Sequence, residues 1–528
     1  MRGVMKICLL LVLMASRALA QASPSLILTE GRIFTSDSVH PWVEALAVRG
    51  DRIIAVGSSV EIRRMAGRGT REINLGGRVA IPGINDAHDH LGEAGLGPQF
   101  LTGSSPTPDP SSAVVLDSIR AIAFRSTPGT WIRTQIGVHV LNDTAVNRTA
   151  LDRIAPNNPV MLHGWWGHGT ILNTAALRAL TIPENVRDPL GGTYTREANG
   201  KLTGRLDEYA VWDAQRRLAS RQPEKVLVAG LREFSDSSLR FGVTSVQDMA
   251  GFLTPGVTAK VFRDAQLPIR IRLIRWSIPT DRSMNTAEWN GIPADIAPRV
   301  RVDGRKWVFD GTPIEQLALR TTPYPGRPNW FGRLEFPPDT MRAILAAALR
   351  PGAPQLHIHI VGDSTAELVL GMMESLAPDS VWRPRRVRIE HGISITGDRI
   401  ARVARKGIVI AQPRGDVPYK SWRAAGITVA YGSDMLRNPF IHMITVVTGG
   451  AHPEEALSRE DAVRAYTFGS AYAERREAEK GTLAPGMLAD LAVLSQDIFT
   501  VPPPALPATR SVLTIIGGTI AYDGLTHH

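Results

Sequence analysis

The chain of 528 residues has a single cysteine, Cys8, and it lies in the apolar run Ile7 to Ala15 near the start. Arg2 and Lys6 precede that run and Ala18-Leu19-Ala20 follows it, which reads as a secretory signal peptide over residues 1–20 with a small-residue cleavage site. The mature chain is then expected to carry no thiol, which excludes disulfide stapling and leaves stability to core size. No later run approaches the ~20 apolar residues of a membrane span. The mature chain is therefore expected to be exported, periplasmic or secreted in a bacterial-type cell, with no membrane span. Aromatic residues are sparse at 6%, and no basic stripe interleaves with them, which argues against nucleic-acid binding. The formal charge of +10 falls only to +7 once Arg2, Lys6 and Arg17 leave with the leader. Internal repeats and low-complexity runs are absent too.

What is present is 43% hydrophobic content, in a chain long enough for more than one domain. Short apolar runs at Leu26 to Leu28, Ala45 to Val48 and Ile53 to Val56 are punctuated by Gly31, Gly50-Asp51 and Gly57, the pattern of a small sheet with tight turns. The C-terminus mirrors it in Leu491 to Leu494, Ser511 to Ile516 and Thr519 to Tyr522. One β-sandwich domain built from both chain ends, residues 21–82 plus 483–528, is the expected result. Between them, strand candidates such as Val243 to Val246, Ile269 to Ile274, Lys306 to Phe309, Leu356 to Ile360 and Ile427 to Ala430 alternate with helical patterns at Asp339 to Leu349 and Ser364 to Leu376. This order predicts an α/β fold, a closed (β/α)8 TIM-like barrel over 83–482. The repeat breaks at about 165–235, where an inserted subdomain is expected.

Chemistry-bearing residues collect at the ends of these strands. In Pro82-Gly83-Ile84-Asn85-Asp86-Ala87-His88-Asp89-His90, period-two alternation puts His88 and His90 on one face, able to chelate one divalent cation. Lys306 opens Lys306-Trp307-Val308-Phe309-Asp310-Gly311, His359 ends Leu356-His357-Ile358-His359, His391 follows Glu390, and Asp434 closes Gly432-Ser433-Asp434. His357 is expected one layer deeper than His359 on the same face. The C-terminal strand ends of a barrel are where its active sites form, so these residues are expected to converge.

With these motifs in this order, the chain resembles the amidohydrolase superfamily, specifically the amidohydrolase-3 group of YtcJ-like metal-dependent hydrolases. The resemblance extends to His168-Gly169-Thr170-Ile171-Leu172-Asn173, Thr203 to Glu208, Gly242 to Ser245, Gly481-Thr482-Leu483 and Gly486 to Leu491. It implies that His88 and His90, with Asp434, hold a buried metal, and that His359 and His391 hold a second. Lys306 resembles the lysine that carbon dioxide converts to a carbamate bridging two metals. Two divalent ions are thus expected, zinc by default because histidine and carboxylate ligands suit it. A hydroxide between them would attack a carbonyl, with Asp434 as general base and then acid. Near the pocket, His168 either stabilises the developing oxyanion or fixes an inserted loop, and Asn173 and Trp166 are expected to bind substrate. Glu208 either binds substrate or caps a helix. Asp248 is expected to orient a ligand, and Trp165, Trp166 and Trp307 to form an aromatic pocket wall.

Some positions depart from the family pattern. Asp89 replaces an apolar residue and is expected to face the helical layer, Thr312-Pro313-Ile314-Glu315 replaces a small-residue run, and Met435 stands where tryptophan is frequent. These bear on substrate identity. The resemblance implies an exported hydrolase cleaving an amide- or formamide-type carbon–nitrogen bond in a small molecule. Two alternatives stay open on sequence: a metal-dependent deaminase of the cytosine-deaminase type, and a non-catalytic periplasmic binding protein on the same scaffold. A homo-oligomer is also open.

Overall fold

The computed structural model describes residues 23–93, 109–411, 413, 415, 417–435 and 437–525; the leader expected at 1–20 lies outside them. Eight strands hydrogen-bond in chain order: β1 (Ile84–Asp89), β2 (Val243–Ala250), β3 (Arg270–Trp276), β4 (Val300–Val308), β5 (Leu356–Ile360), β6 (Arg388–His391), β7 (Val409–Ala411) and β8 (Val429–Ala430). Every neighbouring pair along this path is parallel. Two main-chain bonds bring the sheet back on itself: Ala87 N–H to Tyr431 O and Asp434 N–H to His88 O, each 2.8 Å. The sheet is a nearly closed barrel, as the strand–helix alternation predicts.

Parallel neighbours need crossovers, and helices supply them on the outside. The helix Pro338–Ala348 shows why such segments fold locally. Pro338 stands in the first turn, and Met341, Ile344, Leu345 and Ala348 recur at helical spacing on its buried face.

A five-stranded sheet interrupts the barrel between β1 and β2, in the order Gly192–Arg196, Leu202–Glu208, Gly169–Leu172, Val160–Gly164, Ile132–Ile136. It starts earlier than the insertion expected at about 165–235, because Ile132–Ile136 and Val160–Gly164 pair in register ahead of that point. Short apolar runs do not reveal which sheet they join. Val115, Ile119, Ile132, Leu151 and Leu162 give this part a core of its own.

The chain ends form two further sheets. One joins Leu26–Thr29, Ala45–Arg49, Arg52–Gly57 and Arg71–Asn74; the other runs Thr519–Asp523, Ser511–Ile516, Leu491–Leu494, Val79–Pro82, Arg32–Phe34, Trp42–Val43. Their shared core takes Leu28, Ile33 and Leu46 from the N-terminal part and Leu491, Val493 and Ile515 from the C-terminal part. Leu491 pairs with Pro82, and Gly83 N–H donates to Asp490 O at 2.9 Å. The C-terminal strands therefore clasp the chain where it enters β1. Among the described residues no helix is long and apolar enough to cross a membrane.

Candidate metal centre

The strand ends gather the expected ligands at one point. His88 Nε2 and His90 Nε2 lie 3.6 and 3.4 Å from Asp434 Oδ1, and each of the three offers a ligand atom within 4.8 Å of the others'. The His391 ring centroid is 5.3 Å from that of His88 and 4.4 Å from that of His359. Lys306 is buried in β4, its Nζ 5.9 Å from the Trp276 ring, and its charge bears on both His88 and His391. His391, Asp434 and Met435 adopt φ of +71°, +43° and +77°. Left-handed backbone at non-glycine residues is costly, and its concentration here marks a site held in shape by its surroundings.

Burial, and then the Lys306 charge, push His88 down to about 4. Burial likewise holds His359 and His391 well below the usual histidine range. Neutral imidazoles with free lone pairs are what a divalent cation binds. His359 Nε2 is buried with no hydrogen-bond partner among the described residues. Such an orphan costs ~1–3 kcal/mol, and a metal ion would satisfy it. The donor set therefore fits a metal centre.

Glu390 orients this centre from behind. Its Oε2 lies 2.7 Å from His88 Nδ1 and its Oε1 3.0 Å from His357 Nδ1. A proton held on Nδ1 leaves His88 Nε2 facing Asp434 as a lone pair. Burial alone would raise Glu390, but the Arg388 guanidinium, 3.0 Å from each oxygen, helps hold it well below the usual carboxylate range. In the sequence Glu390 shows only as the neighbour of His391, and this role is not legible there. His357 does lie deeper, as its alternation with His359 predicts.

The inserted sheet forms a wall over the barrel mouth. The His168 ring lies 5.0 Å from that of His359, and its Nδ1 is 2.9 and 3.1 Å from the two Glu208 oxygens. Burial and then the Glu315 charge push Glu208 well above the usual carboxylate range. Glu315 in turn accepts from Trp166 Nε1 at 2.7 Å and from Thr312 Oγ1 at 2.5 Å. Trp276 approaches the His90 ring at 5.4 Å, Phe252 at 5.4 Å, and Trp212 stacks edge-on to Trp276 at 4.5 Å.

The family model for the amidohydrolase family matches residues 71–522. The chain belongs to the amidohydrolase family. It is 29% identical over 531 residues to the protein LONG AFTER FAR-RED 3 of Arabidopsis thaliana, covering 89% of this chain and 87% of that one. It is 25% identical to the N-substituted formamide deformylase of Arthrobacter pascens, over 94% of this chain and 98% of that one. Among solved structures, a metal-dependent hydrolase of Pyrococcus horikoshii superposes with a TM-score of 0.68 at 20% identity, over 91% of this chain and 99% of that one.

In this amidohydrolase several residues stand where the sequence did not place them. Asn173 does not face the pocket: its Oδ1 caps the helix Thr174–Ala179 through Ala176 N–H and also accepts from Val160 N–H, while its Nδ2 donates to Ala155 O and Asn158 O. Glu208 makes no side-chain cap to the helix that follows it; it is turned to His168, with φ +56°. Trp307 points away from Lys306, packs against Phe336 at 5.6 Å and lines a cavity on the helix Pro338–Ala348. Strand alternation requires that once Lys306 faces inward. Trp166 reaches Glu315 rather than the histidines, and Trp276, Trp212 and Phe252 form the aromatic wall. Asp248 steadies the chain beyond His90 by accepting Leu91 N–H at 2.8 Å. Asp89 accepts from His90 N–H at 2.8 Å and Met435 N–H at 3.0 Å, so it ties β1 to the loop after β8 instead of facing the helices.

Proposed function

We propose that this amidohydrolase is an exported enzyme that hydrolyses the carbon–nitrogen bond of an N-substituted formamide or a related small amide. The observation that carries the reading is the meeting of His88, His90, His359 and His391 with Asp434 and a buried lysine at one barrel end. Coverage of nearly the full length of the formamide deformylase supports the substrate class. His88, His90 and Asp434 would hold one divalent ion, and His359 and His391 a second. Burial pushes Lys306 down to about 8, so a useful fraction is the neutral amine, which could take up carbon dioxide as a carbamate and would then supply anionic oxygen ligands to the metal centre. Zinc suits this ligand set. The ions supply Lewis acidity and lower the pKa of water to about 7.

The chain's own groups do the rest. Asp434 takes the proton of the attacking water as its oxygen bonds to the carbonyl carbon. It returns that proton to the nitrogen as the carbon–nitrogen bond breaks. Glu208, held in its acid form, donates its O–H to His168 Nδ1 and leaves the ring proton on Nε2. That tautomer is the donor an oxyanion needs. The leader at 1–20 directs the chain to the periplasm or medium.

Elemental analysis of the mature protein, expressed with zinc and bicarbonate, tests the centre. About two metals per chain, falling in Lys306→Ala, are expected. One metal that Lys306→Ala leaves untouched would overturn the bridged site. On an N-substituted formamide, formate and an amine should appear, and Asp434→Asn should keep its metal while kcat falls about 10²–10⁴-fold. Ammonia as the sole nitrogen product would move the assignment to a deaminase.

A further inference from the structure

At the barrel end opposite the metal centre lies a cavity of about 190 Å³ lined by Arg270, Arg272, Arg299, Arg301, Arg476 and Lys480. It sits where β3 and β4 begin; Arg272 precedes Trp276 by four residues on β3, ~13 Å along the strand. Its volume leaves room for a five-atom oxyanion with hydration. We propose that this cavity binds a small phosphate-type oxyanion.

The charge around it is incompletely balanced. Lys480 pairs with Glu474 at 2.6 Å, Arg270 with Asp490 at 2.7 Å, and Arg476 with Glu479. Arg272 and Arg301 share one carboxylate, Asp303, at 3.0 and 3.7 Å. Arg299 has no carboxylate partner among the described residues; its Nη1 donates only to the main-chain oxygen of Pro268, at 2.5 Å. Asp295, the remaining acid of the lining, pairs with none of the six among the described residues. Arg272 also donates to Gln355 at 2.8 Å and to Gln247 at 3.4 Å, and its buried Nε has no hydrogen-bond partner among the described residues.

The crowding is felt electrostatically. Burial, then the charge of Arg270, lowers Arg299 below the usual arginine value against the opposing pull of Asp490, and burial lowers Arg272 to about 10. An anion would relieve both. Guanidinium forks suit tetrahedral oxyanions because two parallel N–H groups meet two oxygens.

The test titrates the metal-loaded enzyme with sodium phosphate, and with sodium chloride at equal ionic strength, by calorimetry and thermal unfolding. Saturable binding with a rise in Tm that chloride does not give is expected. Arg299→Ala should weaken it about tenfold or more, the loss of one charge-assisted contact, and Arg299→Lys should retain part of it. If Arg299→Ala does not fold, Arg301→Gln carries the same expectation. A phosphate response no larger than that of chloride overturns the proposal. So does binding that survives in the arginine variants but disappears on chelation, which would place the anion on the metal centre. None of these readouts requires turnover, so they stand apart from the reaction proposed above.

Discussion

Glu390 is fully buried, and its two oxygens serve His88, His357 and Arg388 together. In Glu390→Gln one oxygen becomes an NH₂ group. If that NH₂ faces His88, the ring must accept, which moves its proton to Nε2 and covers the lone pair a metal takes; if it faces His357, that ring must accept instead, and in both cases Arg388 loses its carboxylate. We expect metal affinity to fall about 10–100-fold, the range for groups that orient ligands from behind, with the far-UV circular dichroism unchanged. Wild-type affinity in a competitive chelator titration would show that Glu390 does not set the tautomer. The contrast with His88 and His90 shows which residues the sequence discloses. An i, i+2 histidine pair carries its geometry in its spacing. Alternation places Arg388 and Glu390 on one face of β6, but that Glu390 meets a residue 302 positions earlier follows only from barrel closure. Asn173 failed for the opposite reason. Asn173 is a motif neighbour of His168 but not a pocket neighbour: the strand Gly169–Leu172 carries it away from His168, and every polar atom of its side chain is spent on backbone.

Between elements, the same limit appears in β4. Its first half, Val300-Arg301-Val302-Asp303-Gly304, lies outside the strand candidate Lys306 to Phe309, and charged residues alternate with valine there. The barrel interior accepts such side chains because they pair with one another: Arg272 with Asp303, and with Gln355 at 2.8 Å. On the outer layer, Glu374 of the helix Asp363–Leu376 receives Arg402 through two 2.9 Å bonds and the buried Lys406 through a third. The Arg402 bonds, with help from Lys406, lower Glu374 to about 2 from an ordinary 4.5. A carboxylate whose folded value lies below its unfolded one stabilises above the unfolded value, and that contribution is lost as pH falls from 4.5 toward 2. The side chain is 38% exposed, so solvent screening limits the effect to ~1 kcal/mol. Glu374→Gln should therefore unfold at lower temperature than wild type at pH 7, with the gap closing as pH drops below 4.5. A gap in Tm that stays constant down to pH 3 would show that the helix contact owes nothing to this charge.

Across the whole molecule, the sequence disclosed that both chain ends build one β domain, because their strand patterns match and flank the barrel. It did not disclose that this domain grips the barrel at the strand that carries His88 and leads into His90. The grip is concrete. Asp490 is 5% exposed and receives Arg270 through bonds of 2.7 and 3.0 Å and Gly517 N–H at 2.7 Å, while its main-chain oxygen takes Gly83 N–H just ahead of β1. Ser511 N–H and Thr514 Oγ1 bond Arg240 O and Leu239 O at the approach to β2. With both of the first two barrel strands anchored this way, end domain and barrel should unfold as one unit. Asp490→Ala leaves the Arg270 charge unanswered. Arg270 is 22% exposed, so the loss should be ~2–3 kcal/mol, below the ~3–5 of a fully buried pair. Scanning calorimetry should show one transition moved down whole, and metal removal should lower that same transition, because a ligand that binds only the folded state stabilises whatever unfolds with its site. A new low-temperature transition that is indifferent to metal would mean that the two parts melt separately, and that the clasp at Gly83 does not couple the chain ends to the centre.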